Sequence, residues 1–439
     1  MMGKLPPTIL VIFGITGDLS HRYLLPALAE ICQAGQLSSD FKVLGVSRRK
    51  IKAAEVFRES EKTLLPHADM LTMNVESLTD YEGLKTKINE LAKETKSKPQ
   101  IIFYLMVPPT GVPTIIEMLG SSGLNKWSKL MLEKPFGTDL ASANELVTNT
   151  EKHFKENQVY RIDHYLAKEM AQNITVFLSS NSIFRDVWSN KHIEKIEIVV
   201  AEKISVEGRA TFYEGTGALR DMVQSHLLQL AALTLMEPCS DIFDFEEIPR
   251  RRQAALEALR PVNPKKVHKA QYQGYSDEVG VPGSSTETFV DLTIESGDKR
   301  WIGVPIRLTT GKNLNEKLTE IRIYFKKTTS SAANLLVLRI QPREGIELDL
   351  WVKEPGYERK LKKLPLSFAY GQHFKHLPDA YEQVLIDAMR SNQSLFASSR
   401  EVLASWAVLE PVLNMWEKDT KLASYKPGST IEEVLKIGS

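Results

Sequence analysis

The sequence has few cysteines, almost no net charge and no long apolar run, and each of these shortages excludes a class of protein. Two cysteines in 439 residues, Cys32 and Cys239, are too few for a disulfide framework or a thiolate metal site, so we expect a reducing, cytoplasmic compartment. Lysine and arginine number 56 against 55 aspartates and glutamates, and a net charge of +1 predicts no nucleic-acid partner and no anionic membrane surface. Apolar stretches such as residues 8–15 are too short to span a bilayer, and no secretion signal is recognisable. Any anionic ligand must therefore be bound by a local cluster.

A strand, a glycine turn and a helix open the first predicted domain. Residues 8–13, TILVIF, have the continuous apolar pattern of a buried parallel strand, and GITGDL follows at residues 14–19. In a dinucleotide-binding unit such glycines let the backbone approach a pyrophosphate at the start of a helix. An ordinary strand-to-helix corner can use the same glycines, so both interpretations stay open at this point.

The end of the second predicted strand bears on the choice of cofactor. Residues 41–46, FKVLGV, are followed by Ser47-Arg48-Arg49-Lys50, where an NAD-binding unit would place an acidic residue for the ribose hydroxyls. A carboxylate would repel a 2′-phosphate, whereas Arg48 can pair with it. The pattern favours NADP over NAD, although NAD remains possible and a solvated basic loop is the alternative.

Later strands of the same domain end in residues suited to an active site. A buried strand over residues 101–107 is closed by Pro108-Pro109, which either simply stops the strand or forms a rigid edge beside the nicotinamide. A short strand over residues 129–132 runs into Glu133-Lys134-Pro135, and a lysine at the carboxyl end of a strand is where an α/β sheet places catalytic groups.

Residues 161–169, RIDHYLAKE, combine two cations with a carboxylate, an imidazole and a phenol after a strand at 158–162. We predict a helix that starts here with Asp163 as its cap, so that His164, Tyr165 and Lys168 share one side and bind a phosphate. The alternative is a capped helix with a solvated first turn.

The second predicted domain has longer strands in which apolar and polar residues alternate. This pattern predicts a mostly antiparallel sheet with helices. Its predicted strands are residues 193–201, 287–295, 299–308, 320–325, 335–341 and 346–353, and its predicted helices are 219–236, 379–390 and 400–418. Residues 262–285 read as a long surface connection. We therefore predict a domain of residues 1–165, Rossmann-like and α/β, and a larger α+β domain of residues 166–439.

Residues 220–229, RDMVQSHLLQ, are predicted to be helical, with one apolar face and His226 at its edge. A histidine in that place is either a satisfied core residue or a shielded base. Spacing alone does not choose between them.

Ten blocks of the sequence resemble, in the same order, those of the glucose-6-phosphate dehydrogenase family. They are GITGDL at 14–19, PP at 108–109, EKPFG at 133–137, RIDHYLAKE at 161–169, RDMVQSHLLQ at 220–229, TETFV at 286–290, GVP at 303–305, TGK at 310–312, IQP at 340–342 and PDAYEQVLID at 378–387. The resemblance implies oxidation of glucose 6-phosphate to 6-phosphogluconolactone, with hydride transfer to NADP and no metal. It also implies a Rossmann-like domain, then a β+α domain whose broad sheet forms a homodimer, or a dimer of dimers.

Residue roles carried over by the resemblance fall into three groups. His226 is implied as the general base and Asp163 as the group that orients it. Sugar-phosphate binding is assigned to Lys134, His164, Tyr165, Lys168, Glu202, Asp221, Lys312, Lys317 and Gln341. Cofactor binding is assigned to Gly14, Thr16, Gly17, Asp18, Leu19, Arg48, Pro108 and Lys134.

Three departures from the family pattern qualify these expectations. Tyr23, preceded by Arg22, stands where a lysine is usual, which predicts lower turnover unless Arg22 substitutes. Thr309 stands where an arginine is usual. The chain is also shorter than most members, so we expect no additional structural NADP site.

Two other functions remain in competition. A non-catalytic NADP- or sugar-phosphate-binding protein would be favoured by loss of Asp163, Lys168 or His226, and all three are present. A dehydrogenase similar to glucose–fructose oxidoreductase would share the Rossmann domain and the EKP turn, but not the phosphate-binding block together with His226.

Overall fold

The computed structural model describes residues 4–206, 208–328, 332–375, 377–419 and 421–437. The chain divides into two compact units. The first comprises Met1–Gly137, Ala141–Ala167 and Pro378–Ser399, and the second comprises Thr138–Leu140, Lys168–Leu377 and Arg400–Ser439. The domain boundary between residues 165 and 166 stays a prediction, and it leaves out the return of residues 378–399 to the first unit.

A seven-stranded sheet forms the centre of the first unit. Its strands, numbered by their place in the chain, are β1 (Thr8–Phe13), β2 (Lys42–Ser47), β3 (Ala68–Thr72), β4 (Gln100–Leu105), β5 (Ser128–Glu133), β6 (Val159–Ile162) and β15 (Phe396–Ala397). Their order is β15-β6-β5-β4-β1-β2-β3, and every pairing is parallel except that of β15 with β6. From β6 to β3 this is the doubly wound order of a dinucleotide-binding domain, which confirms the predicted Rossmann-like fold.

Apolar runs explain why these strands lie in the middle of the unit. All six residues of β1 are buried, as expected of a parallel strand covered on both faces. Leu25, Leu28 and Ile31 recur on one face of the helix that follows the glycine turn, and they pack in the same buried cluster as Leu10 and Ile12.

The helices of the described residues are mostly short. The α-helices are α1 (Leu25–Gln33), α2 (Ala53–Val56), α3 (Leu78–Lys93), α4 (Val112–Ser121), α5 (Leu140–Glu151), α6 (Glu169–Ser180), α7 (Ser182–Arg185), α8 (Ala210–Glu214), α9 (Leu228–Leu235), α10 (Glu247–Glu257), α11 (Tyr275–Val279), α12 (Tyr370–His373), α13 (Ala380–Met389), α14 (Ser399–Trp416) and α15 (Ile431–Leu435). Two segments, Ser20–Leu24 and Leu219–Leu227, are π-helices, and 3₁₀ turns occupy Glu59–His67, Pro109–Gly111, Leu124–Trp127, Glu156–Gln158 and Pro264–Lys266. None of the helices in the described residues has the length and hydrophobicity that a membrane crossing requires.

A nine-stranded sheet forms the second unit. Its strands are β7 (Ile193–Ala201), β8 (His268–Tyr272), β9 (Phe289–Ile294), β10 (Ile306–Gly311), β11 (Leu318–Phe325), β12 (Leu335–Gln341), β13 (Gly345–Lys353), β14 (Leu361–Ala369) and β16 (Ala423–Tyr425). The order is β14-β13-β12-β11-β7-β10-β9-β8-β16, with parallel pairing only between β7 and β10 and between β8 and β16. The prediction of a mostly antiparallel sheet is confirmed.

Two segment predictions in this unit were wrong. Residues 262–285, predicted as a surface connection, include β8 and α11, because Ala270, Tyr272 and Tyr275 are buried in an aromatic cluster. The strand predicted over residues 299–308 starts only at Ile306, since the preceding residues form turns closed by bonds from Trp301 to Asp298 and from Val304 to Trp301.

Candidate active site

A crevice lies at the carboxyl edge of the first unit's sheet, where the strand order reverses between β1 and β4. Ligands of doubly wound sheets bind at this switch point. The cavity there has a volume of about 940 Å³, and five of the residues predicted to bind the cofactor line it: Gly14, Thr16, Gly17, Arg48 and Pro108. These five residues follow the ends of β1, β2 and β4, so the fold brings them together.

The glycine turn has the geometry that a pyrophosphate requires. Gly14 has a φ of 80°, and a Cβ atom there would lie 2.3 Å from the carbonyl oxygen of Met106. The Gly17 amide donates to the carbonyl of Gly14 at 2.9 Å, which closes the turn before the π-helix that starts at Ser20. A larger residue at position 14 would push β1 away from the end of β4, so glycine keeps the backbone open to a ligand. The residues present therefore fit a dinucleotide.

The wall beyond β2 is basic. Ser47, Arg48 and Arg49 line the cavity, and the Arg49 amide donates to the Ser47 hydroxyl at 3.1 Å. Glu76 lines the same cavity. Sequence reasoning did not assign Arg49 or Glu76 to the cofactor; the signal for Arg49 was its place in the same basic run.

Three predicted cofactor residues are absent from the cavity wall among the residues described. Asp18 is exposed and forms an ion pair with Arg22 at 2.9 Å, so the charge of Arg22 is directed at Asp18. Leu19 packs against the hydrophobic core. Lys134 follows the end of β5, and its peptide bond to Pro135 is cis.

The half-buried carboxyl group of Glu133 ends β5, beside Lys134. The hydroxyl of Tyr104 donates to the carboxylate of Glu133 at 2.6 Å. Burial raises the pKa of Glu133 to about 7, and the phenol of Tyr381 and the charge of Lys134 partly oppose this rise. Tyr23, which replaces the usual lysine, stacks on Tyr381 with ring centroids 5.3 Å apart. An aromatic contact therefore occupies the position where the family pattern has a cation.

Residues 163–167 form a turn, so the predicted helix start at Asp163 was wrong: α6 begins at Glu169. The carboxylate of Asp163 accepts a bond from the amide of Tyr165 at 2.9 Å, and an aspartate bonded two residues on favours a turn over a helix. Asp163 and Tyr165 are buried, and the rings of His164 and Tyr165 lie 5.0 Å apart. His164 and Tyr165 therefore owe their positions to this turn.

In the second unit, Lys168 is fixed by a residue distant in sequence. Its ammonium group donates to the side-chain oxygen of Gln341 at 3.0 Å, and the amide nitrogen of Gln341 donates to Thr319 at 3.0 Å. Both Lys168 and Gln341 were predicted to bind the sugar phosphate, so the sheet brings this pair together.

Lys312 and Glu202 form a second predicted pair. Their ion pair is 2.6 Å long, and the ammonium group also lies 5.3 Å from the ring centroid of Tyr213. The burial of Tyr213 raises the pKa of its phenol well above the usual value, and the nearby carboxylates of Asp221, Glu287 and Glu202 raise it further. Lys317, five residues beyond Lys312, is exposed.

His226 and Asp221 lie on the π-helix Leu219–Leu227, which continues into α9 at Leu228. The predicted helical segment is confirmed, but its first half has the wider π turn, a form found often at functional sites. His226 is 1% exposed and Asp221 is 7% exposed. The helix is thus buried around both residues.

Thr309, which replaces the usual arginine, belongs to a polar cluster in the second unit's sheet. Its hydroxyl donates to Asp291 at 2.6 Å, and Arg307 donates to the same carboxylate at 2.7 Å. Arg307 therefore supplies a cation two residues earlier on β10.

Comparisons with known proteins agree along the whole chain. Residues 11–173 match the family model "Glucose-6-phosphate dehydrogenase, NAD binding domain", and residues 175–435 match "Glucose-6-phosphate dehydrogenase, C-terminal domain". The chain is similar to the glucose-6-phosphate 1-dehydrogenases of Chlamydia muridarum (36% identity; 94% of this chain and 91% of the relative covered) and Bacillus subtilis (36% identity; 97% and 95%).

A solved structure gives the same result. It is described as glucose-6-phosphate dehydrogenase in complex with its substrate glucose-6-phosphate, and it matches with a TM-score of 0.92 at 30% identity, covering 99% of this chain and 98% of the other. Because both halves match and the similarity extends over nearly the full length, the chain belongs to the glucose-6-phosphate dehydrogenase family.

Proposed function

We propose that this chain oxidises D-glucose 6-phosphate to 6-phospho-D-glucono-1,5-lactone with NADP, the entry reaction of the oxidative pentose phosphate pathway. The observation that carries the proposal is the match to relatives named for this activity over more than nine tenths of the chain. The two alternative hypotheses are a non-catalytic binding protein and a dehydrogenase of another sugar. Neither is supported by a comparable match to known relatives.

The cofactor side of the reaction rests on the crevice of the first unit. When bound, NADP supplies C4 of its nicotinamide as the hydride acceptor. Gly14 and Gly17 leave the backbone accessible to the pyrophosphate, and Arg48, which lines the same cavity beside Arg49, is the proposed partner of the 2′-phosphate. In NAD-binding units an acidic residue accepts hydrogen bonds from the ribose hydroxyls, and an arginine side chain has no acceptor for them.

His226 is the proposed general base. It removes the proton from the C1 hydroxyl group while the hydrogen on C1 leaves as hydride, so that C1 and its oxygen become the lactone carbonyl group. Asp163 is the proposed partner that orients the imidazole and stabilises its charged form. The deep burial of each side chain supports these roles, because burial shields a base and a carboxylate from bulk water.

The remaining predicted residues divide between the phosphate and the sugar. Lys168, with His164 and Tyr165, is assigned to the phosphate, since an ammonium group and two hydrogen-bond donors suit its oxygens. Glu202 and Asp221 suit the sugar hydroxyls as acceptors, whereas Lys134, Lys312, Lys317 and Gln341 supply donors.

Absorbance at 340 nm tests the activity with purified protein. We expect reduction of NADP with glucose 6-phosphate, slower reduction of NAD, and almost none with free glucose. No signal with any pair would contradict the enzyme assignment. Activity restricted to free glucose would instead contradict the phosphate-binding assignment and favour a dehydrogenase of another sugar.

We also propose a homodimer formed through the nine-stranded sheet. Leu350 and Val352 of β13 and Leu364 and Leu366 of β14 alternate onto one face, where Leu350 pairs with Leu364, and all four are exposed. An apolar strip at a sheet edge favours association. Light scattering should give a molecular mass of twice the 49.5 kDa of the chain, or four times that mass for a dimer of dimers. The Leu366→Glu substitution should lower the measured mass.

The cytoplasm remains the proposed compartment. It rests on the two cysteines, which form no disulfide with each other: Cys32 is half-buried and Cys239 is buried. Fractionation of cells that express the tagged chain tests it, with cytosolic activity as the expected outcome.

A further inference from the structure

A buried glutamate lies at the start of the π-helix that carries Asp221 and His226. The carboxylate of Glu287 accepts a hydrogen bond from the amide of Leu219, the first residue of that helix, at 2.8 Å. The backbone carbonyl of Glu287 accepts a second bond from the amide of Ala218 at 3.0 Å. Because the first amides of a helix have no partner within it, Glu287 satisfies a donor that the fold would otherwise bury unpaired.

Gly217 makes room for this contact. It has a φ of 71°, and a Cβ atom there would lie 2.4 Å from one carboxylate oxygen of Glu287 and 2.6 Å from the other. Any side chain at position 217 would therefore displace the carboxylate from the helix. Glycine at 217 and glutamate at 287 form one structural unit, although 70 positions separate them.

The same segment also contacts the backbone of a predicted substrate residue. The carbonyl of Thr288 accepts a bond from the amide of Lys312 at 2.9 Å. Residues 287 and 288 thus connect the start of the π-helix with the strand end that carries Lys312, and both contacts are buried.

We propose that Glu287 is a positioning residue for the reaction: its carboxyl group fixes the first turn of the π-helix and thereby the places of Asp221 and His226. The proposal deepens the proposed function and rests on it, since it assigns no new chemistry to Glu287. A helix start that shifts by an ångström moves every side chain that the helix carries, and misplacement of that size costs rate more than binding.

The charge state of Glu287 does not decide the contact. Arg220 on the π-helix, Lys269 on β8 and Tyr213 on α8 face it, and burial raises its pKa to about 7, an effect that its backbone hydrogen bonds partly oppose. A carboxyl group keeps an acceptor oxygen when protonated, and so does a glutamine side chain. Glu287→Gln should therefore preserve the contact, whereas Glu287→Ala should remove it.

Two glycines allow a matched experiment. Gly280 has a φ of 72°, nearly that of Gly217, but among the described residues no atom outside its own helix and chain neighbours lies within 4 Å of its Cβ position. Gly217→Ala and Gly280→Ala thus place an alanine at nearly the same positive φ, and only the first displaces Glu287. We expect Gly217→Ala to lower kcat for glucose 6-phosphate oxidation by about 10- to 100-fold with a smaller change in KM. The kcat of Gly280→Ala should stay within about threefold of wild type, since strain alone moves no group of the helix.

The glutamate variants and a structural measurement complete the test. Glu287→Ala should lower kcat like Gly217→Ala, and Glu287→Gln should restore it. Hydrogen exchange should show that the Leu219 amide is protected in wild type and in Glu287→Gln but not in Glu287→Ala. This measurement detects the contact directly, even if Gly217→Ala fails to fold. Equal kcat values for wild type, Gly217→Ala and Glu287→Ala would overturn this inference alone. An inactive wild-type protein would overturn the proposed function and this inference with it.

Discussion

The cofactor crevice and the sugar-phosphate residues are built in different ways. Around the crevice, the wall residues follow directly after strand ends, and the glycine turn is closed by a bond between residues three positions apart. In the second unit, contacts join residues that are distant in sequence: Lys168 to Gln341, Glu202 to Lys312, and Leu219 to Glu287. Backbone geometry builds the first site, and polar contacts between residues distant in sequence build the second. We expect substitutions to act locally in the first and to propagate in the second.

The largest effect in the second unit is expected when the proposed base, His226, is replaced. His226→Asn should lower kcat by about 10²- to 10⁴-fold, because general base catalysis contributes that much, with little change in glucose 6-phosphate affinity. His268→Asn is the control: that histidine lies in the second unit too and is half-buried, and its ring contacts the carbonyl of Val434. Comparable loss in both variants would mean that His226 acts through packing and is not the base.

Glu133 sharpens the comparison, because a side-chain hydrogen bond from Tyr104 fixes it within the first unit. Its pKa is raised from 4.5 to about 7 in the folded chain, so its stabilising contribution is complete below pH 4.5 and is lost as pH rises through 7. Relative to Glu133→Gln, wild type should lose about 3 kcal/mol of unfolding free energy between pH 4.5 and pH 8, at about 1.4 kcal/mol per pKa unit. Thermal melts across that range give the difference, and parallel pH profiles for the two proteins would refute it.

Lys168 tests the phosphate assignment. Lys168→Ala should raise KM for glucose 6-phosphate by about 10- to 100-fold, since a hydrogen bond to a charged group contributes about 1.5–3 kcal/mol. Lys195→Ala is the control: it removes an ammonium group that pairs with Glu197 in the nine-stranded sheet, and it should leave KM unchanged. An unchanged KM for Lys168→Ala would remove this residue from the phosphate site.

Arg48 should give the smallest effect, because it is exposed and its interaction is screened by solvent. Arg48→Ala should raise KM for NADP by about fivefold to tenfold, at roughly 1 kcal/mol, and leave KM for NAD nearly constant. Arg58→Ala removes another exposed arginine of the first unit and is the control. An equal rise in KM for NADP and for NAD would show that Arg48 does not bind the 2′-phosphate.

Local sequence patterns predicted the first unit better than the second for the same reason. Residues 8–13 were predicted as a strand with the bounds observed, and the glycine turn and Arg48 line the crevice as expected, because each signal lies within a few residues. The return of residues 378–399 to this unit was missed, since its edge strand β15 is only two residues long and is defined by its partner β6.

Predictions that depended on distant partners failed more often. Asp163, in the first unit, is an exception: it was predicted to start a helix, but its carboxylate accepts a local bond from the amide of Tyr165 in a turn. Residues 262–285 have a loop-like composition, yet Tyr272 and Tyr275 order them by packing against Tyr425 and Tyr213. Glu287 was predicted only as the first residue of a strand and as part of a motif, because nothing near it in sequence indicates the helix that it contacts. The role of His226 likewise came from the family resemblance and not from its spacing.

Transfer of deuterium from C1 of the substrate tests the central claim most directly. With glucose 6-phosphate deuterated at C1 and NADP, direct hydride transfer predicts one deuterium at C4 of the reduced nicotinamide and none in water. Mass spectrometry of the NADPH measures it. Deuterium in the solvent, or retained at C1 of the product, would contradict the proposed reaction.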